Sequence, residues 1–184
     1  MSCPGSPLTL KRFFDRVVRR SFGDHALRDD PAADYLSDLL TRFARTDSFH
    51  PPSAFSPQRV ESVALLLLEI QQVWDVDSPG FNPVRERELR RHIGDYTLFM
   101  TGLFRERVEH LSVAGYYIRE GKRAYHVVSE HDRADARPQA WLFRALADRF
   151  EGYAGVLTYM RKVYFRPEHA PPDLPFFRQL ITAW

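Results

Sequence analysis

The chain has 184 residues, of which 44% are hydrophobic and 27% charged, with a formal net charge of +2. That is enough chain for one domain with a sizeable core, too apolar for a disordered segment, and too nearly neutral to exert a strong global pull on DNA, RNA or an anionic membrane. A lone cysteine, Cys3, excludes a disulfide framework or a multi-cysteine metal site, and the longest apolar run, Val63 to Leu68, is far short of the roughly 20 residues that span a bilayer.

Residues 1–6 carry no period and are expected to form a flexible N-terminus. Leu10, Phe13, Phe14, Val17 and Val18 then fall on one face of a helix, with an end expected before Gly23. No continuous apolar stretch accompanies them, so a secretory signal is not expected and a cytoplasmic location is. Asp30-Pro31 reads as an N-cap followed by proline in the first turn, and Tyr35, Leu36, Leu39, Leu40 and Phe43 form the next stripe. Pro51 and Pro52 break the chain. Ser56-Pro57 repeats the capping signal and opens a helix running to about Trp74. Val60, Val63, Ala64, Leu66, Leu67, Ile70, Val73 and Trp74 leave that helix little polar surface, which marks it as the expected central, buried element.

Asn82-Pro83 caps the following helix, whose stripe is Leu89, Ile93, Tyr96, Met100 and Leu103. Helix ends or bends are expected near Gly102 and Gly121. Arg137-Pro138 opens a last long helix, in which Leu142, Leu146, Phe150, Tyr153, Leu157, Met160 and Tyr164 trace an unbroken stripe of about six turns. Residues 166–175 hold four prolines and read as a linker. Phe176, Phe177, Leu180, Ile181 and Trp184 are again helix-spaced, and such an apolar terminus is expected to dock on the body or on a partner. No strand-like alternation competes. The expectation is an all-α, single-domain bundle of about seven helices spanning residues 1–184, with the C-terminal helix docked.

Polar chemistry is densest from His92 to His131, which holds four of the seven histidines. His92, Asp95 and Tyr96 can share a helix face, and Glu106/His110 and His126/Glu130 are spaced i, i+4. Carboxylate and imidazole pairs on facing helices are raw material for a metal site, because oxygen and nitrogen ligands can converge inward. The Glu-x-x-His repeat of di-iron bundles is missing, however, and i, i+4 pairs also decorate solvated faces. Tyr96, Tyr116, Tyr117, Tyr125, Tyr153 and Tyr159 could likewise line a small-molecule pocket, or simply pack with their hydroxyls outward. No cofactor is strongly implied.

Arginine dominates the basic residues, since only Lys11, Lys122 and Lys162 of the 26 are lysine. Arginine suits phosphate recognition, but base composition favouring arginine codons explains the bias more simply. Along Arg85-Glu86-Arg87-Glu88 and Arg105-Glu106-Arg107 the signs alternate as on a solvated helix face, so nucleic acid is disfavoured as a partner. Residues 8–22 combine an apolar stripe with Lys11, Arg12, Arg16, Arg19 and Arg20, a pattern compatible with peripheral membrane contact or an acidic partner. Hydrolase, phosphate-binding-loop, metalloprotease and dinucleotide motifs are all missing. These features lean towards a non-catalytic protein-interaction, regulatory or adaptor module, with a protein partner or self-association expected and a homodimer as one form of it. The alternative is a helical bundle binding a small molecule or metal in a pocket lined by His, Glu and Tyr.

Overall fold

The helical spacing of the apolar residues is realised as an all-α fold. The computed structural model describes residues 7–45, 57–75, 77 and 79–165, and among these there are eight helices and no strand. They are α1 (Pro7–Asp24), α2 (Asp30–Arg45), α3 (Pro57–Trp74), α4 (Pro83–Leu103), α5 (Arg105–His110), α6 (Ala114–Ala134), α7 (Ala140–Asp148) and α8 (Phe150–Tyr164). The chain divides into two compact units, Met1–Phe55 with Gly155–Trp184 and Ser56–Ala154, the boundary falling within α8. The expected flexible N-terminus (1–6), the proline-rich linker (166–175) and the docking helix (176–184) lie outside the described residues.

In the first unit α1 packs on α2. Leu10, Phe14, Val17, Val18 and Phe22 are buried, as are Ala32, Ala33, Leu36, Leu39 and Leu40. Phe165 stacks on Phe13 with ring centroids 6.2 Å apart and meets Phe14 edge-on at 6.3 Å. Helix α1 does not stop before Gly23. It continues to Asp24 and closes on Ala26, whose φ of 53° puts it in the left-handed region. Leu27 N–H donates to Phe22 C=O at 2.9 Å and Ala26 N–H to Gly23 C=O at 3.0 Å, a Schellman closure built on alanine instead of glycine. The α2 cap is also displaced by one residue. Asp29 Oδ1 accepts from Ala32 N–H at 3.2 Å, while the exposed Asp30 side chain lies 3.7 Å from Arg19.

In the second unit the central helix is α4, which packs on α3, α5 and α6. It buries Leu89, Ile93, Gly94, Asp95 and every residue from Thr97 to Leu103. Its polar residues concealed this role in the sequence. The Thr97 hydroxyl donates to Ile93 C=O at 2.7 Å and that of Thr101 to Thr97 C=O at 2.7 Å, so both threonines are satisfied within their own helix and can be buried at little cost. Asn82 does cap α4, its side chain accepting from Arg85 N–H at 3.0 Å.

The expectation for α3 is overturned. It packs on α4, and a helix with one main neighbour buries one strip: Val63 and Ile70 are buried, whereas Leu65 is 61%, Leu68 54% and Trp74 64% exposed.

Two glycines let α4 and α6 approach closely. A Cβ on Gly94 would lie 2.6 Å from the Tyr125 ring. One on Gly121 would lie 2.5 Å from the Phe150 ring and would also strike the Thr97 hydroxyl. Gly121 therefore sits mid-helix in α6 as a packing residue, and no helix end falls there. The long C-terminal helix is divided as well. At Arg149 (φ −110°, ψ 22°) α7 ends and α8 begins, although the apolar stripe runs through without interruption. The break accompanies burial of Phe150 against Gly121 and Tyr125, whose ring centroid lies 6.2 Å from that of Phe150. Tertiary packing outweighs local periodicity here.

Gly94→Ala and Gly121→Ala are expected to destabilise the protein by about 1–3 kcal/mol through overpacking, despite a helix-propensity gain of roughly 1 kcal/mol. Gly152→Ala, where an added Cβ meets nothing within 4 Å, should instead gain about 0.5–1 kcal/mol. Urea unfolding of the three variants checks this. Equal stabilities would contradict the close crossing.

Candidate functional site: a groove between α3, α4 and α6

The wall of the site begins with buried charge. Asp132 on α6 is fully buried and receives a two-pronged contact from Arg87 on α4, Nε–Oδ1 2.5 Å and Nη2–Oδ2 2.8 Å. The same guanidinium lies over the Phe143 ring at 5.8 Å. Immediately before Arg87 on α4, buried Glu86 faces Arg90 through two contacts of 3.4 Å and His131 Nε2 at 3.2 Å. Buried Asp95 accepts from the Tyr125 hydroxyl at 2.8 Å, and Arg91 lies 3.8 Å from its other oxygen. These carboxylates are held by guanidinium, imidazole or phenol donors, which fixes α4 against α6 and sets the positions of their outward neighbours.

Beside this wall the connector from α3 to α4 folds back, with Asn82 N–H donating to Val73 C=O at 2.8 Å. The turn presents Trp74 and Phe81, both exposed, at the mouth of a cavity of about 480 Å³. Pro83, Glu86 and Arg90 from the α4 side and Arg123, Val127 and His131 from α6 complete most of its wall. A second cavity of about 360 Å³ is lined by Leu67, Ile70 and Gln71 of α3 and by Glu120 of α6, and it shares Trp74, Arg90 and Arg123 with the first. Together they form one groove with two lobes. Its chemistry is an apolar floor and rim with charged side chains at fixed points, suited to holding an amphipathic ligand.

The residues singled out from the sequence are dispersed. His92 and His110 are exposed, Asp95 is buried on Tyr125, and Tyr96 packs edge-on against Tyr117 with centroids 6.0 Å apart. Glu106 is half-buried in short helix α5. His126 and Glu130 do approach, at 3.6 Å, and His126 Nε2 also lies 2.8 Å from Arg144. Only Glu130 of the seven lines the groove. Among the described residues no three His, Cys, Asp or Glu side chains are close enough to hold a metal ion together. Tyr117, Tyr125 and Tyr153 are core residues, and no tyrosine lines either lobe of the groove.

Trp74, Phe81, Arg90 and Arg123 were not read as site residues in the sequence. Trp74 lies on the apolar stripe of α3 and so resembles core, while Arg90 and Arg123 vanish into the alternation of signs. The one available signal was that α3 is apolar nearly all round, which leaves an exposed apolar face unless several neighbours cover it.

In the first unit two of the five basic residues of α1 are paired with acids. Lys11 bridges Asp15 and lies 3.0 Å from Asp38, and Arg19 pairs with Asp34. At the ends of α1 and α8 the carboxylate of Asp24 accepts from the Tyr164 hydroxyl at 2.7 Å and from that of Tyr159 at 3.1 Å, with Arg20 over the Tyr164 ring at 5.8 Å. These hydrogen bonds, Tyr164's first, hold Asp24 below the usual carboxylate range against a smaller opposing effect of desolvation. Tyr164 is raised by the bond to Asp24 and by desolvation, and Tyr159 by desolvation and then that bond.

Family models, curated proteins and solved structures, compared with this chain, yield no match.

Two predictions follow from these pairs. Asp132→Ala strands a buried guanidinium and should cost about 3–5 kcal/mol in urea unfolding. Arg87→Met combined with Asp132→Leu should recover most of that loss, and a mild single variant would contradict the pairing. Secondly, Asp24 is more acidic folded than unfolded, so its contribution is present above its unfolded value near 3.8 and is lost as pH falls through the lower, folded one. The tyrosines are less acidic when folded, so their contribution is present below about 10 and is lost as pH rises through their higher, folded values. Asp24→Asn should flatten both limbs of a melting temperature–pH profile; an unchanged profile would remove the cluster from the account.

Proposed function

We propose that the chain is a non-catalytic interaction module that binds a segment of another protein through α3 and the groove beside it. One observation carries this reading. The exposed large apolar side chains among the described residues are Leu65, Leu68, Trp74, Phe81, Val84, Leu111 and Trp141, and five of them fall between residues 65 and 84. Scattered exposed apolar residues are ordinary, but Trp74 and Phe81 stand together at an apolar groove while Leu65 and Leu68 extend the exposed apolar surface round α3, a concentration typical of an interface. The buried ion pairs behind the groove support the same reading, because they hold its wall rigid and spare a partner the ordering cost. A regulatory or adaptor role fits such a module, and self-association is the case in which the partner is a second copy.

A second reading is favoured by one dimension. The larger lobe, about 480 Å³, falls within the roughly 300–1,000 Å³ range of small-molecule pockets. A small ligand would occupy the groove and leave Leu65 and Leu68 uncovered, so the two readings separate experimentally.

A photo-crosslinking amino acid placed at Leu68 in the producing cells should trap a protein, while the same probe at exposed Arg12 traps none of that species. Trp74→Ala should remove the Leu68 adduct with the melting temperature held within a degree or two. If Leu68, Leu65 and Phe81 all fail to crosslink to protein, the interaction reading is wrong.

A further inference from the structure

The reading of an interaction groove can be taken further, to the chemistry of its occupant, and the inference rests on that reading. The two lobes meet at Trp74, Arg90 and Arg123, which line both. Their apolar surfaces lie to either side: Phe81, Pro83, Val127 and Ala134 in one lobe, Leu67 and Ile70 in the other. An occupant must therefore place apolar side chains in the lobes and present something acceptable to two guanidinium groups between them.

The charges at this junction do not cancel. Glu86 is engaged by Arg90 and His131, Glu120 accepts from Arg119 at 3.2 Å, and Glu130 lies 3.6 Å from His126. Each groove carboxylate thus has a donor or cation beside it. Arg123 is exposed and, among the described residues, has neither an ion pair nor a hydrogen bond. Arg90 is engaged by buried Glu86 through contacts of 3.4 Å and belongs to the fixed wall, so the open guanidinium at the junction is that of Arg123. An indole face beside the open Arg123 guanidinium is a setting in which an acidic group next to an apolar anchor is recognised twice, by charge and by contact.

We propose that the groove takes an acidic, amphipathic segment of a partner protein, with an apolar anchor against Trp74 and Phe81 and an Asp or Glu carboxylate on Arg123. A segment is favoured over a free anion because two apolar lobes lie to either side of the arginine junction, and a chain bearing several side chains can fill both at once. A basic segment is disfavoured because it would bring like charge onto an unpaired guanidinium.

The test is selection of a displayed random 16-residue peptide library on the full chain, with counter-selection on the Trp74→Ala variant. Enriched peptides should combine aromatic or aliphatic anchors with a neighbouring Asp or Glu. A synthetic copy should lose about tenfold in affinity for Arg123→Glu, the scale of one hydrogen bond to a charged group, and less for Arg123→Gln. Arg123 contacts no described acid, so neither variant should shift the melting temperature. Enriched peptides that are neutral or basic, or that bind Arg123→Glu as well as the parent, would overturn the acidic specificity while leaving the groove reading standing. Failure to enrich any peptide dependent on Trp74 would overturn both. Saturable binding of decanoate, competed by no peptide, would assign the groove to a small molecule instead.

Discussion

The close crossing of α4 and α6 at two glycines is the constraint on which the second unit depends. Gly94 accepts the Tyr125 ring and Gly121 accepts Thr97 and Phe150, so at those points a side chain of one helix lies directly on the backbone of the other. That approach brings Asp95 within 2.8 Å of the Tyr125 hydroxyl and Arg87 onto Asp132. Neither contact would form across a crossing padded by ordinary side chains. Dispersion between surfaces in direct contact and hydrogen bonds in a dry interior then reinforce one another, because each requires the geometry that the other holds.

Burying so much polar chemistry in one helix pair is expensive unless every group has a donor or acceptor. Here the threonines of α4 bond to their own backbone, the aspartates to arginine or tyrosine, and Ser129 of α6 donates to Ala140 C=O at 2.8 Å to tie on the start of α7. Slipping one helix along the other would leave the charges of Arg87 and Asp132 stranded in the interior. The groove inherits that definition. Its charged wall, Glu86 and Arg90 on α4 with His131 on α6, belongs to the network that fixes the helix pair, while Trp74 and Phe81 lie on the more exposed α3 side. A rigid polar wall opposite an apolar, accessible one is an arrangement in which a binding partner can fit without reorganising the core.

The choice of central helix shows where sequence reasoning went astray. An apolar count favours α3, yet burial depends on the number of neighbours, and α4 has three against one main neighbour for α3. Residues such as Thr97, Thr101, Gly94 and Asp95 lower the apparent hydrophobicity of α4 while being the residues that allow it to be central. The polar residues from His92 to Glu130 illustrate the converse. Their spacing along each helix was visible, but His92 and His110 face outward and Asp95 faces in, because helix rotation is set by partners and not by local pattern. Trp74 joined the core stripe on paper, and its exposure reflects where α3 loses its neighbour.

By itself, the sequence determined the all-α class, the helix starts signalled by proline at Pro57 and by Asn82 with Pro83, and the inward stripes of α1, α2 and α4, because capping groups and a 3.6-residue period are local physics. Only tertiary structure decided that α7 and α8 are separate, that Gly121 is a contact and no terminus, that Ala26, Ser112 and Ala136 close helices at positive φ, and which apolar face stays uncovered. Those outcomes turn on residues distant in sequence. Phe150 must meet Gly121 and Tyr125, and α3 must find α4. No local window contains both members of such a pair, so the period can announce a helix while the pairing decides what the helix shows to its surroundings.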